Sequence, residues 1–224
     1  MARGPNAGQA RSERARRARA LGRRIAQLYA GLVAFGVSLA LMVRAGLGLS
    51  PWDVLNQGVA RRLGLQFGWV VIALGLVVLL AWVPLRQRPG WGTLSNVLLV
   101  GLVANAALDV LGRPSQLVAR GALLAAGIGL NALATAAYIG VGLGPGPRDG
   151  LMIGLARRGH SIRTVRTALE VCALGAGVAL GGTLGVGTLA YALSIGPLVH
   201  VLLPRFIVHP PVPGGRATAV DRCP

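Results

Sequence analysis

Two aspartates, Asp53 and Asp149, stand where a carboxylate is costly. Each follows a Gly/Pro break inside apolar sequence, in Gly46-Leu-Gly48-Leu-Ser-Pro51-Trp52-Asp53 and in Gly142-Leu-Gly144-Pro-Gly-Pro147-Arg148-Asp149. An ionisable group at membrane depth marks a functional site by default. The chemistry open to such a pair is ion or proton binding on a solute pathway. A local role competes with it. A carboxylate in the first helical turn accepts free N–H groups and meets the positive end of the helix dipole. Either Asp could therefore cap a helix beginning at Pro51 or Pro147, or lie at the water interface with no special role. Asn56 and Gln57 extend a polar site one turn beyond Asp53, whereas Met152 and Ile153 occupy the matched places. The two positions are not equivalent.

Other polar residues fall inside apolar runs. Arg166 and Glu170 are four apart near Arg163 and can pair on one helix face. That pair either lets Glu170 sit below the surface or acts as a gate or substrate contact. Asn105 and Asp109 are also four apart, and the residues matched to them are His200 and Pro204. His200 is read as interfacial or hydrogen-bonded, with a proton relay as the sharper alternative. Asn131 is placed to donate between helices. Trp69, Trp82 and Trp91 fit an interfacial aromatic belt, and Trp52 fits a cavity wall. No Ser/His/Asp set, Walker loop, zinc motif or cysteine cluster is present, so neither enzyme chemistry nor a cofactor or metal is expected. Gly46-x-Gly48 lacks the strand–turn–helix setting of a nucleotide fingerprint.

These residues sit in a repeated frame. Gly46, Gly48, Pro51, Asp53, Leu55, Gly58, Ala60, Arg61 and Arg62 recur 96 residues later, from Gly142 to Arg158. Gly92-Thr93-Leu94 recurs as Gly187-Thr188-Leu189, and Gly101 as Gly196, 95 residues on. Apolar segments run over 25–43, 67–85, 93–111, 119–141, 162–182 and 186–204. The expectation is an all-α integral membrane bundle built from a duplicated three-span unit over 25–111 and 119–204. Each copy adds a short helix. The stretch from Pro51 to Leu63 spans about 20 Å as a helix, too short for a core of about 30 Å. An extended entry and helical return suit a re-entrant element, tolerated only inside protein or against a wet cavity. Re-entrant elements give six spans and inverted halves. Crossing elements would give eight spans and parallel halves, which the retained Arg61-Arg62 and Arg157-Arg158 mildly favour. Segment length favours six.

Composition agrees with a membrane setting. Of 224 residues, 54% are hydrophobic and 13% charged, and the mean hydropathy is +0.63. The net charge of +17 does not imply nucleic acid, because no reading module accompanies it. Every basic side chain is Arg, and eight of the 23 lie in residues 3–24. That stretch reads as a disordered cytoplasmic tail obeying the positive-inside rule and able to touch lipid headgroups. Residues 205–224 read as a flexible cytoplasmic tail. The N-terminal segment does not read as a cleavable signal. Cys172 and Cys223 suggest no disulfide, and Cys172 reads as a small packing residue. Gly146/Gly150/Gly154 and Gly177/Gly181/Gly185 suggest close helix faces, which could also serve a homo-oligomer.

The run Gly46 to Leu55, with Pro84-Leu, Arg88-Pro-Gly and Gly92-Thr93-Leu94-Ser-Asn96, resembles the YczE/YyaS/YitT group of bacterial multi-pass membrane proteins. The resemblance covers roughly 25–204, and the second motif departs from it where Arg148 replaces Trp. It implies a bacterial inner-membrane protein with the bilayer as its main partner, and no settled activity. The functional expectation is a small-solute or ion-coupled transporter. Asp53 and Asp149 would line its pathway with Pro51, Trp52, Pro147 and Asn56, completed by Glu170, Arg166, Asn105 or His200. The alternative is a non-transporting scaffold for a partner enzyme or transporter.

Overall fold

The computed structural model describes residues 7–207, and within them every regular element is helical. The helices are α1 (Ala7–Ala45), α2 (Pro51–Leu63), α3 (Phe67–Trp82), α4 (Trp91–Val110), α5 (Leu117–Gly140), α6 (Pro147–Ala156), α7 (Ile162–Ala179) and α8 (Val186–Phe206). Each of the six expected apolar segments falls on one of them. Four stretches are long and apolar enough to cross a membrane: Leu21–Ala45, Trp91–Val110, Leu117–Gly140 and Val186–Phe206. The other two helices are shorter or more polar: α3 has 16 residues, and α7 carries Arg163, Arg166 and Glu170.

Part of the stretch read as an N-terminal tail is helical. Helix α1 already begins at Ala7, so 7–24 continue the first apolar helix. Ala and Arg are strong helix formers, and extending an existing helix carries no new nucleation cost. Residues 1–6 lie outside the described residues, as do 208–224 with Cys223.

Helices α1 and α5 pack antiparallel at the centre. Gly31 of α1 meets Ala134, Ala137 and Tyr138, while Gly127 of α5 meets Ser38 and Met42. Arg24 Nη2 donates to Val141 O (2.7 Å) at one end, and Arg120 Nε to Ala45 O (2.7 Å) at the other. Helix α4 runs alongside α1 in the same direction, with Gly36 on Val100 and Val103 and Arg44 Nη2 donating to Leu108 O. Helix α8 does the same beside α5, with Gly187 near Leu124 and Gly140 near Phe206. Leu32, Leu39, Met42, Leu49 and Val54 are fully buried in the resulting core.

Each short helix leaves and rejoins its own end of the bundle, α2 the end where Arg44 meets Leu108 and α6 the end where Arg24 meets Val141. Helix α1 ends beside Leu108, and α3 begins beside Asn105, which accepts Gly68 N–H at 2.6 Å. The α2–α3 pair bends by 115°. Across the bundle α2 packs on α7, and α6 packs on α3. The glycine faces are used inside the chain. Gly150 and Gly154 receive Trp82 and Leu85, and Gly177 receives Val54 and Leu55. Three expectations fail here. Gly181 (φ 90°) and Gly185 lie beyond the end of α7 rather than on its face. Trp82 is 1% exposed and donates Nε1–H to Pro147 O (3.0 Å), so it is a packing residue and not part of an interfacial belt. Trp69 and Trp91 are exposed, as a belt requires, and so is Cys172, against the packing role expected of it.

Candidate functional site

Both motifs enter the bundle through the same backbone path. Gly46 and Gly48 have φ of 59° and 122°, and Gly142 and Gly144 have φ of 66° and 128°. Residues with a Cβ resist that region. The lead-in to α2 is pinned to the start of α8: Gly187 N–H donates to Leu47 O (2.8 Å) and Leu49 N–H to Thr188 Oγ1 (3.2 Å). The lead-in to α6 is pinned to the start of α4: Gly92 N–H donates to Leu143 O (3.1 Å) and Thr93 Oγ1–H to Pro145 O (2.7 Å). Each then starts a helix at a proline, Pro51 or Pro147, whose missing N–H costs nothing at that place.

Of the two aspartates, Asp149 takes a backbone hydrogen bond from Gly146, the N-cap of α6, whereas Asp53 is not the cap of α2. Ser50 is the N-cap of α2, and its Oγ accepts Asp53 N–H at 3.3 Å. The Asp53 carboxylate is 1% exposed and turns inward. It accepts from Ser50 Oγ, from Asn56 Nδ2 (3.1 Å) and from Arg148 Nη2 (3.1 Å). Arg148 arrives from the other motif, with its guanidinium carbon 5.5 Å from the centre of the Trp52 ring. Asp149 is served differently: Tyr138 donates O–H to its Oδ2 at 3.0 Å. The two motifs face each other across a cavity of about 500 Å³. Its walls include Trp52, Asn56, Tyr138, Arg148, Asp149 and Tyr191, with Arg166, Glu170 and His200 also lining it. This arrangement can hold a small polar or charged solute between fixed charges, with aromatic faces around it.

The sequence matches the "Family of unknown function (DUF6198)" over residues 22–204. The chain belongs to this family. Among curated relatives, an "Uncharacterized protein" of Haemophilus influenzae is 39% identical over 180 residues, covering 80% of this chain and 83% of the relative. The "Uncharacterized membrane protein YczE" of Bacillus subtilis is 33% identical over 183 residues, covering 80% and 85%. The "Uncharacterized protein YyaS" of the same organism is 27% identical over 181 residues, covering 78% and 89%. The resemblance read from the first motif therefore holds for YczE and YyaS, and the chain is a membrane protein. No solved structure matches it.

Within this DUF6198 chain, Asp53, Asp149, Pro51, Trp52, Pro147, Asn56, Arg166, Glu170 and His200 all lie at or against the one cavity. Arg166 Nε and Glu170 Oε1 are 3.0 Å apart, as their spacing predicts. Asn105 does not join them. It is buried between α3 and α4, where its Oδ1 holds the N-terminal N–H of Gly68, so its role is to fasten two helices. Gln57 likewise accepts Thr183 N–H (2.7 Å) and ties α2 to the α7–α8 turn. Asn131 bridges helices as expected, donating to Ser38 Oγ (2.8 Å) and accepting from Tyr191 O–H (3.0 Å). Sequence reasoning missed Ser50, Tyr138, Tyr191 and the reach of Arg148. The available signal was scarcity: only three tyrosines occur, Tyr29, Tyr138 and Tyr191, and all three fall inside apolar runs.

Proposed function

We propose that this protein is a carrier of the bacterial inner membrane that moves a small solute or ion through the cavity between its two motifs. On this reading the chain is a duplicated three-span unit, α1–α4 and α5–α8, inserted in opposite senses. Helices α2 and α6 are re-entrant, and both termini are cytoplasmic. The observation that carries it is convergence: two Gly/Pro-broken segments, 96 residues apart, meet at one charged cavity. Broken helices at corresponding places in two halves are the sequence mark of a midplane transport site.

Further support comes from matched geometry. The antiparallel α1 and α5, the paired positive-φ glycines and the exchanged loop contacts relate one half to the other. Irregular backbone is tolerated at membrane depth only when it lines a cavity or is buried in protein, and here it does both. Gly146, Gly150, Gly154 and Gly177, which a scaffold would offer to partners, are filled within the chain.

The test is flux of labelled small solutes and ions into liposomes holding the purified protein, compared with its Asp149→Asn and Arg148→Gln variants. Losing a hydrogen bond to a charged group costs about 1.5–3 kcal/mol. Flux in folded, inserted variants should therefore fall about 10- to 100-fold. Wild-type flux from both variants, for a solute the native chain carries, would overturn the reading.

A further inference from the structure

The charges around the cavity do not balance. Arg148 is taken by Asp53 (3.1 Å) and Arg166 by Glu170 (3.0 Å). Asp149 is left with the neutral Tyr138 hydroxyl and a backbone hydrogen bond from Gly146, and it makes no ion pair among the described residues. Asp149 is half-buried on the cavity wall, with Arg148 and Arg166 close enough to act on it through space but bonded to other carboxylates. A carboxylate partly withdrawn from water with no bonded counter-charge favours the gain of a proton or a cation. The imbalance traces to one substitution between the motifs. Arg148 reaches across to Asp53, but its counterpart is Trp52, which offers Asp149 no guanidinium. One of two matched carboxylates thus has a cation bonded to it within the chain, and the other has only the longer-range field of Arg148 and Arg166.

We infer that Asp149 is the seat of one exchangeable monovalent cation in the cavity. The site rests on the carrier reading only for its use; its occupancy is a binding question. The cavity, at about 500 Å³, has room for a hydrated inorganic ion or for the ammonium group of a small solute. Aromatic rings on the cavity wall suit the ammonium, since Tyr138 touches Asp149, Phe35 stands edge to face with Tyr138 at 6.1 Å, and Tyr191 lines the same cavity. A proton is the smallest member of the same class. The groups facing this space are Tyr138 from α5, Arg148 from α6, Arg166 and Glu170 from α7, and Tyr191 and His200 from α8, with Asp53 behind Arg148.

The experiment is equilibrium binding to the purified full chain in detergent, with three probes in separate arms: labelled sodium, labelled tetramethylammonium, and protons followed by the carboxylic C=O infrared band as pH is changed. One arm should show a single site per chain that Asp149→Asn weakens by tenfold or more and Tyr138→Phe retains. Arg148→Trp, which frees Asp53, should raise the stoichiometry from one to two. Three outcomes overturn the inference. One is an Asp149 band unchanged at every pH with no ion bound, the mark of a permanently neutral acid. A second is a proton signal lost in His200→Gln rather than Asp149→Asn. The third is a single site in native and Arg148→Trp chains that Asp149→Asn leaves intact. Binding without flux would sink the carrier reading alone, and flux without an Asp149-dependent cation would sink this inference alone.

Discussion

Arg148 and Asp53, 95 residues apart, form the one ion pair between the two sequence motifs among the described residues, at 3.1 Å. The Asp side chain is 2% exposed and the Arg side chain 29%. Removing either partner leaves a charge with little water, which typically costs about 3–5 kcal/mol, and the partial exposure of Arg148 sets the expectation near the lower figure. Arg148→Gln and Asp53→Asn should each lower unfolding stability in detergent by about 2–3 kcal/mol. The double variant should recover part of that loss, with a coupling of about 1–3 kcal/mol in a double-mutant cycle. Strictly additive losses would mean that the pair does not act as a unit.

Gly150 gives a separate prediction about the frame. A methyl group there would stand 1.9 Å from Trp82 Cζ2, and Trp82 is itself held by Pro147 O. Gly150→Ala should destabilise by about 1–3 kcal/mol, as overpacked sites do. Gly175 has nothing within 4 Å of its missing Cβ. Gly175→Ala should be neutral or stabilise by up to about 1 kcal/mol, since Ala is the better helix former. Thermal unfolding of the two variants side by side checks the contrast.

Hydropathy located the helices, and Gly/Pro breaks located the two entry paths. Both signals are local, so the sequence carried them openly. What stayed hidden depends on contacts between distant residues. Arg148 read as a departure from the Trp52 pattern, because its partner belongs to the other motif. A capping role stayed open for Asp53, because nothing along the chain says that Ser50 already fills that place. Asn105 read as a pathway residue, because its type is polar and its partner, the N–H of Gly68, lies on another helix. The helical start of α1 was missed for a different reason. Its charge pattern suggested solvent, while its Ala-Arg content supports a helix equally well.

The pair on α7 behaves differently from the one across the motifs. Arg166 and Glu170 have side chains 55% and 34% exposed and lie one turn apart. Such pairs contribute only about 0.3–0.5 kcal/mol to stability. Arg166→Gln and Glu170→Gln should each leave unfolding within about 0.5 kcal/mol of the native chain. Both residues line the cavity, so their solute or cation affinity should change, and in opposite directions for a charged ligand. For a cation, Arg166→Gln should bind more tightly and Glu170→Gln more weakly. Equal affinities with unchanged stability would place the pair outside the site.

The last prediction decides how the two motifs sit in the bilayer. Arg62 lies at the end of α2, and its neighbour Arg61 bonds Gly181 O and Thr183 Oγ1, which lead into the start of α8. Arg157 lies at the end of α6, and its neighbour Arg158 bonds Pro84 O, just past the end of α3. Helix α3 runs from the end where Arg44 meets Leu108 to the end where Arg24 meets Val141, so these two exposed arginines occupy opposite ends of the bundle. Cysteines placed singly at Arg62 and Arg157, in a chain lacking Cys172 and Cys223, should therefore differ in intact cells. A membrane-impermeant thiol reagent should label only the Arg62 position, because the Arg-rich N-terminal stretch holds the other end in the cytoplasm. The Arg157 position should label only after the membrane is opened. Labelling of neither in intact cells, and of both in opened membranes, would put both motifs on the cytoplasmic side. The halves would then be parallel and α2 and α6 would cross, which removes the inverted arrangement on which the carrier reading is built.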